Sequence, residues 1–587
     1  MGKRKYINVR KANKSAVYHS TNVPNFVPYS VLSNHINSTD IGTVLNISPE
    51  FTEGVDECGE GMYRPLAEYA LRLAKFYLHV DRCRTDKLRS FPFFQKKDNN
   101  STLFIMSFGG DGAPGSGCAF LLSFLNVGKR IASSFENFLI FGANVEENSP
   151  VVKRFVLKTI LDIKYLESKV FDIMLGETLH KVEFVLGELP NDMKMLYFLA
   201  GELSNSATYF STFANVTQSN STDIGMKMGD DWVPFNYHKR LSDAAKVEKF
   251  SVSLEKEIKI TSKATKRQKI TSYISNTLHS RQEKIPLVQE YVDRAKCEPL
   301  HIKNNVVAQL FVRLQKEVLR HSDVMSFKSF NDLPENNLYR HYVSFVKREM
   351  NCNQLANKMI AWFNEEYLSK NTKDFRFRFR GIESYSYLKQ FPNLIRMILF
   401  RLNMENARYK VCQMFLESLY LRKAISYLVR LENFTAEHLS EVRDVCRKLH
   451  IIHCVFEQTI SPSLWSLCHA APFHAEITLR EYGFGLGCNT MEGREQKHQQ
   501  ISKYSKNTTF QCRWPMIFRH EFIHLVYLRE NNFDTLKYIK KGRKYLPDHD
   551  ELNCENCGLI LNNNHQCDIC HSADMIKVNS HLAKFLN

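Results

Sequence analysis

Acidic side chains at three places where the pattern of the chain changes offer the hard oxygen ligands that a divalent cation prefers. Asp111 follows the apolar run Leu103 to Phe108, which reads as a strand ending at this carboxylate, and sits in Gly109-Gly-Asp-Gly-Ala113. Glycines there let a bulky substrate or a hydrated ion approach, although a lone Asp in such a turn is more often structural. Asp192 follows a second apolar run, Val182 to Leu186, and opens the helical pattern Met193, Met195, Leu196 and Leu199. It is equally an N-cap, unless Asn191 takes that role. Glu492 and Glu495 lie three apart, hence on one helical face, and either completes the set. Carboxylates from three segments converging at strand ends suit two Mg²⁺ or Mn²⁺ ions, which activate a water or hydroxyl and stabilise the departing oxygen in phosphoryl transfer. Thiolates would select other metals.

Thiolates do occur near the C-terminus. Cys554-Glu-Asn-Cys557 and Cys567-Asp-Ile-Cys570, nine residues apart, have the spacing of a zinc ribbon, with His565 or His571 able to replace a Cys. So short a segment has little core without the metal. His520-Glu-Phe-Ile-His524 matches the HExxH helix of zinc metalloproteases, but no third ligand follows it in the expected place. Lys263, Lys266, Arg267 and Lys269 form a basic cluster that is a solvated face, a nuclear address or a phosphate contact. In Phe375-Arg-Phe-Arg-Phe-Arg380, rings alternate with cations as on a strand with one charged face, or as in a grip on phosphates and exposed bases.

The elements that must position these groups are partly legible. With 587 residues and 44% hydrophobics the chain is neither disordered nor a small disulfide scaffold, and its fifteen Cys, one cluster aside, show no secreted framework. An N-terminus without an apolar core and the lack of any run near 20 apolar residues lead us to expect a soluble, intracellular protein without a membrane span. The excess of 79 Lys and Arg over 62 Asp and Glu, a net charge of +17, raises the odds of a polyanionic partner. Residues 1–100 read as a basic arm with one helix from Tyr63 to Tyr77, which contacts DNA or a second subunit. Leu103 to Phe108, Ala119 to Val127 and Phe138 to Val145 read as a three-stranded meander. A helix from Val151 to about Lys164 and further strands at Val170 to Leu175 and Lys181 to Leu186 follow. From about Pro286 to His453 the periodicity is helical.

In order and spacing, Gly110-Asp-Gly-Ala, Gly142-Ala-Asn-Val-Glu-Glu-Asn, Asn191-Asp-Met-Lys-Met-Leu and Glu492-Gly-Arg-Glu-Gln-Lys-His resemble the catalytic core of DDE transposases of the Transib type, including the V(D)J recombinase catalytic subunit. The resemblance spans roughly residues 100–535, with 303 positions between Asp192 and Glu495 where the family carries an hAT-like helical insertion. It implies an α/β plus all-α fold: a ribonuclease-H-like mixed sheet in 101–216 and 456–535 and a helical insertion in 217–455, to which the CxxC pairs add a zinc ribbon in 536–587. It further implies that Asp111, Asp192 and Glu495 bind two Mg²⁺ or Mn²⁺ ions, with Glu492 as a neighbour. The activity implied is metal-dependent hydrolysis and transesterification of double-stranded DNA at transposon ends, through flanking hairpins, and joining to target DNA by a nuclear homodimer. Arg494, Lys497 and Trp465 join the basic cluster as expected DNA contacts, Trp465 and Trp362 as rings for a flipped base. Family recombinases also bind zinc with a Cys pair and a His pair five apart. His469 and His474 keep the His spacing, yet Ala207-Thr-Tyr-Phe-Ser-Thr-Phe-Ala214 holds no Cys. A transposase-derived DNA-binding protein without cleavage is the alternative, and a zinc metalloprotease is a more distant one.

Overall fold

The computed structural model describes residues 3–17, 26–48, 50–55, 59–83, 100–113, 117–256, 262–370, 375, 377–506, 513–532, 543–547 and 551–586. The chain falls into two units, one formed by 1–191, 287–294 and 492–539, the other by 192–286, 295–491 and 540–587.

The first unit is built on a mixed sheet of seven strands. These are β1 (Leu45–Asn46), β2 (Gly61–Tyr63), β3 (Thr102–Ala113), β4 (Gly117–Phe124), β5 (Phe138–Ala143), β6 (Phe171–Leu175) and β7 (Thr178–Glu188), in spatial order β1-β2-β5-β4-β3-β7-β6. β3, β4 and β5 form the antiparallel meander, β7 lies parallel to β3, and β6 pairs antiparallel with β7 at the edge. Every residue of β4 and β5 is buried. That burial on both faces explains why they read as unbroken apolar runs instead of alternating ones. Helix α1 (Leu66–Cys83) matches the expected apolar pattern but starts three residues later, because Gly61–Tyr63 is claimed by the sheet. Two further helices, Lys3–Val17 and Tyr29–Ser38, occupy the expected arm. Helix α2 (Pro150–Glu167) packs on β7; Ser149 Oγ accepts from Val152 N and Pro150 opens its first turn.

Two expectations for the meander need correction. β3 does not stop at Asp111 but continues to Ala113, with Asp111 opposite Ala119. Glycine makes this extension possible, since a Cβ on Gly110 would meet the Phe120 ring at 2.5 Å. The second strand ends at Phe124, and residues 125–132 form 3-10 turns in which Gly128 adopts a φ of 57°.

Among its described residues the second unit contains helices, turns and isolated bridges but no strand of the sheet. It begins with α3 (Met193–Leu199) and includes α4 (Lys263–Asn276), whose Ile270 and Ile274 pack with Val247 and Leu254 of the helix Tyr237–Glu255. The helices Pro299–Arg320, Gly381–Leu399, Glu405–Leu428 and Ala436–Phe456 realise the periodicity seen in the sequence. Residues 456–491, expected with the sheet, belong to this helical unit and include the helix Ala471–Tyr482. Residues 375 and 377–380 form no strand, yet their alternation survives as burial: Phe375 and Phe379 are buried while Arg378 and Arg380 are exposed. Arg376 lies outside the described residues.

At Glu492 the chain rejoins the first unit as α5 (Glu492–Ser505) and α6 (Arg513–Phe522). Ile501 of α5 and Trp514, Ile517 and Phe518 of α6 form a core cluster with Ala119, Leu121 and Leu139. The C-terminal helix α7 (Ala573–Leu586) belongs to the second unit. Among the described residues no helix is long and apolar enough to cross a membrane.

Candidate functional site

Asp111 lies two residues before the end of β3 and Glu495 in the first turn of α5, 384 positions later. One helical turn beyond Glu495 comes His498. Ligand atoms of these three residues all lie within 4.8 Å of one another, so they can hold a metal ion. His498 Nδ1 is 3.9 Å from Asp111 Oδ2, and Asp111 Oδ1 accepts from Gly112 N at 2.7 Å. A fourth polar group borders the site: a Cβ on Gly112 would come 2.6 Å from Oε1 of Glu147. Sequence reasoning missed His498 as a site residue, although its i+3 spacing from Glu495 was the signal that could have found it.

A polar framework seats α5 against the sheet. Arg494 is 1% exposed, and its guanidinium donates to Pro190 O at 3.1 Å, Ser107 O at 3.1 Å and Ser107 Oγ at 3.2 Å. Asn191 accepts from Gly110 N at 2.9 Å, holding the segment after β7 to the residue before Asp111. Farther along α5, Gln496 donates to Ala132 O and Gln500 to Ser134 Oγ. Lys497 is fully buried and pairs at 3.2 Å with Glu521 of α6, whose Oε1 also accepts from Leu139 N of β5. Burial pushes the Lys497 amine below its ordinary pKa, opposed by the Glu521 charge. Arg494 and Lys497, expected as DNA contacts, are thus internal braces that orient the helix bearing Glu495.

The same pair disposes of HExxH geometry. Glu521 is 1% exposed and engaged with Lys497, His520 stacks on Tyr504, and His524 packs against Phe135 at a tilt. Neither histidine joins a metal-capable group among the described residues. Glu521→Ala would leave the buried Lys497 ammonium without its counter-charge, so it should cost about 3–5 kcal/mol of unfolding free energy. Urea unfolding checks this, and an unchanged midpoint would show that the pair does not brace the fold.

Asp192 caps α3, its Oδ1 accepting from Met195 N at 2.7 Å, and stands outside the metal-capable group. Glu492, half-buried at the start of α5, is outside it too, so the geometry singles out Glu495. On α4, Lys263, Arg267 and Lys269 are exposed and Lys266 half-buried; Lys266 pairs with Glu255 at 2.5 Å and Arg267 with Glu283. Trp465, expected at DNA, is buried between Phe210 and Trp232, at 6.0 and 5.4 Å. Trp362 is buried as well. Phe400, by contrast, faces solvent at 85% exposure, with the Arg401 guanidinium 5.9 Å from its ring centre.

The buried cluster Cys554, Cys557, Cys567 and Cys570 can hold a zinc ion. Sulfur atoms of Cys557 and Cys567 lie 3.5 Å apart and those of Cys554 and Cys570 3.8 Å, the closeness that one tetrahedral ion requires. Cys570 N points at the Cys567 sulfur, 3.5 Å away. Hydrogen bonding from the Cys557 and Cys570 thiols pushes the Cys567 thiol far below its ordinary range. Arg422 anchors the module, donating to Tyr545 O and Cys557 O, each at 3.1 Å.

His469 and His474 join no metal-capable group among the described residues. His469 packs against Trp232, Trp465 and His450, and His474 Nδ1 accepts from Cys297 N at 3.2 Å. Burial, helped by Lys296, pushes His474 down to about 3. A histidine kept neutral in the fold but free to protonate when unfolded adds stability that is present above about pH 6.5 and lost as pH falls towards 3. Between pH 7.5 and 5 His474 alone should therefore cost about 2 kcal/mol, measurable by urea unfolding at the two pH values. In His474→Gln that slope should flatten.

No protein-family profile matches the chain. No curated protein matches it significantly.

Proposed function

We propose that the sheet unit is a ribonuclease-H-like nuclease core and that the chain is a DDE-type DNA transposase, or a recombinase derived from one, cleaving and joining double-stranded DNA as a nuclear homodimer. The observation that carries this reading is the meeting of Asp111 and Glu495 beside one strand end, although 384 positions separate them. The meander β3-β4-β5 with β7 parallel to β3, and the predominantly helical unit that takes up 192–286 and 295–491, support it further.

The donor set suits Mg²⁺ or Mn²⁺: two half-buried carboxylates on rigid elements, without a thiolate. Asp111 and Glu495 would hold such ions, and Asp192, the residue after Asn191, would add the third carboxylate. A divalent ion bound there supplies Lewis acidity for attack by water or a 3′-hydroxyl on a phosphodiester. Arg494 keeps Glu495 aimed at the end of β3, and Asn191 keeps the segment leading to Asp192 tied to Gly110. The exposed cations of α4 and the Phe400–Arg401 pair are suited to phosphates and bases. No residue need form a covalent link to DNA.

The test is strand breakage. The full chain with Mn²⁺ and supercoiled plasmid should yield nicked circles, suppressed by a chelator. DNA binding without nicking at any divalent ion would instead favour a transposase-derived binding protein.

A further inference from the structure

We infer that His498 is a nitrogen ligand to the ion held by Asp111 and Glu495, and that it makes this site prefer Mn²⁺ or another first-row transition ion over Mg²⁺. The inference rests on the reading above and sharpens it.

Three observations carry it. His498 is only 8% exposed at its side chain, and it projects from the same face of α5 as Glu495. Its Nδ1 faces Asp111 Oδ2 across 3.9 Å, too far for a direct hydrogen bond. Metal–ligand bonds of about 2.1 Å in an octahedron place ligand atoms roughly 3.0 Å apart when adjacent and roughly 4.2 Å when opposite. The Asp111–His498 gap falls within that range, and the whole trio fits inside 4.8 Å. One ion, reached by small side-chain rotations, satisfies all three.

The chemistry of the third donor sets the selectivity. Mg²⁺ takes oxygen ligands and keeps its waters, whereas imidazole is a borderline donor that favours transition ions. A pair of carboxylates alone would discriminate little between Mg²⁺ and Mn²⁺. Adding a buried imidazole strengthens the second without helping the first.

The experiment is pulsed electron paramagnetic resonance on the full chain, zinc-loaded and titrated with Mn²⁺. Wild type should show ¹⁴N modulation of directly bound imidazole, replaced by a ¹⁵N pattern when histidine alone is isotopically labelled, a comparison that needs no variant. His498→Gln should lose that signal, weaken Mn²⁺ by at least about tenfold and leave Mg²⁺ competition nearly unchanged. Should Mn²⁺ bind in wild type, disappear in Asp111→Ala and show no imidazole nitrogen, the inference about His498 fails while the carboxylate site stands. Should no Mn²⁺ site depend on Asp111, both fail.

Discussion

Asp111→Ala should lower Mn²⁺-dependent strand breakage by about 10³-fold or more, the loss expected when several kcal/mol of metal-mediated charge stabilisation disappear. DNA binding and fold should survive, because Asp111 is only half-buried and β3 is held there by backbone pairing with β4, from Met106–Phe124 to Ala113–Gly117, which the substitution leaves intact. Asp192 needs a subtler variant. Its carboxylate caps α3, so Asp192→Ala removes both a cap worth about 1 kcal/mol and any ligand, and cannot tell the roles apart. Asp192→Asn can, since asparagine caps as well as aspartate but binds a divalent ion poorly. The expected outcome is unchanged stability with cleavage reduced as severely as in Asp111→Ala, read from plasmid nicking beside thermal unfolding. Full cleavage in Asp192→Asn would reduce that residue to a cap and leave Asp111, Glu495 and His498 as the whole ligand set.

The second large effect concerns the cysteine cluster. Metal analysis should find one zinc per chain, and Cys567→Ser or a strong chelator should unfold 551–572. Four sulfurs within 4.8 Å of one another, two pairs of them at 3.5 and 3.8 Å, repel once ionised, and only the ion's binding free energy, about 10–16 kcal/mol in small zinc modules, offsets that repulsion and the chain entropy. Arg422 makes the consequence spread: it is buried, burial lowers its pKa, and one of its two carbonyl partners belongs to Cys557. Hydrogen exchange should therefore rise in 551–572 and around Arg422, while α7 keeps partial protection through Met575, Val578 and Leu582 and the Arg408–Asp574 pair. Protection of 551–572 unchanged after metal removal would show that the cluster folds without an ion.

Three features of this protein could be read from residue order alone. The strands β4 and β5 announce themselves because apolar runs of that length, bounded by Gly and Asn, have no better place than a sheet buried on both faces. The helices between Pro299 and Phe456 follow from apolar residues at helical spacing, and the CxxC pairs from the geometry of tetrahedral thiolates. Each of these signals is local, its cause lying within a few residues of its effect.

What tertiary structure alone decided is the meaning of single polar side chains. Arg494 and Lys497 look like surface cations in a polar stretch, yet both are buried because α5 lies between the 3-10 turns of 125–136 and α6 with Pro190 and Glu521 at hand. Trp465 looks like a ring for a base and is core, while Phe400, unremarked at its helix end, is exposed. His498 joins Asp111 only because a strand end and a helix 387 positions apart are packed side by side. Charge and aromaticity belong to a residue, but solvation and partners belong to its position in space, and no pattern along the chain encodes a neighbour hundreds of residues away.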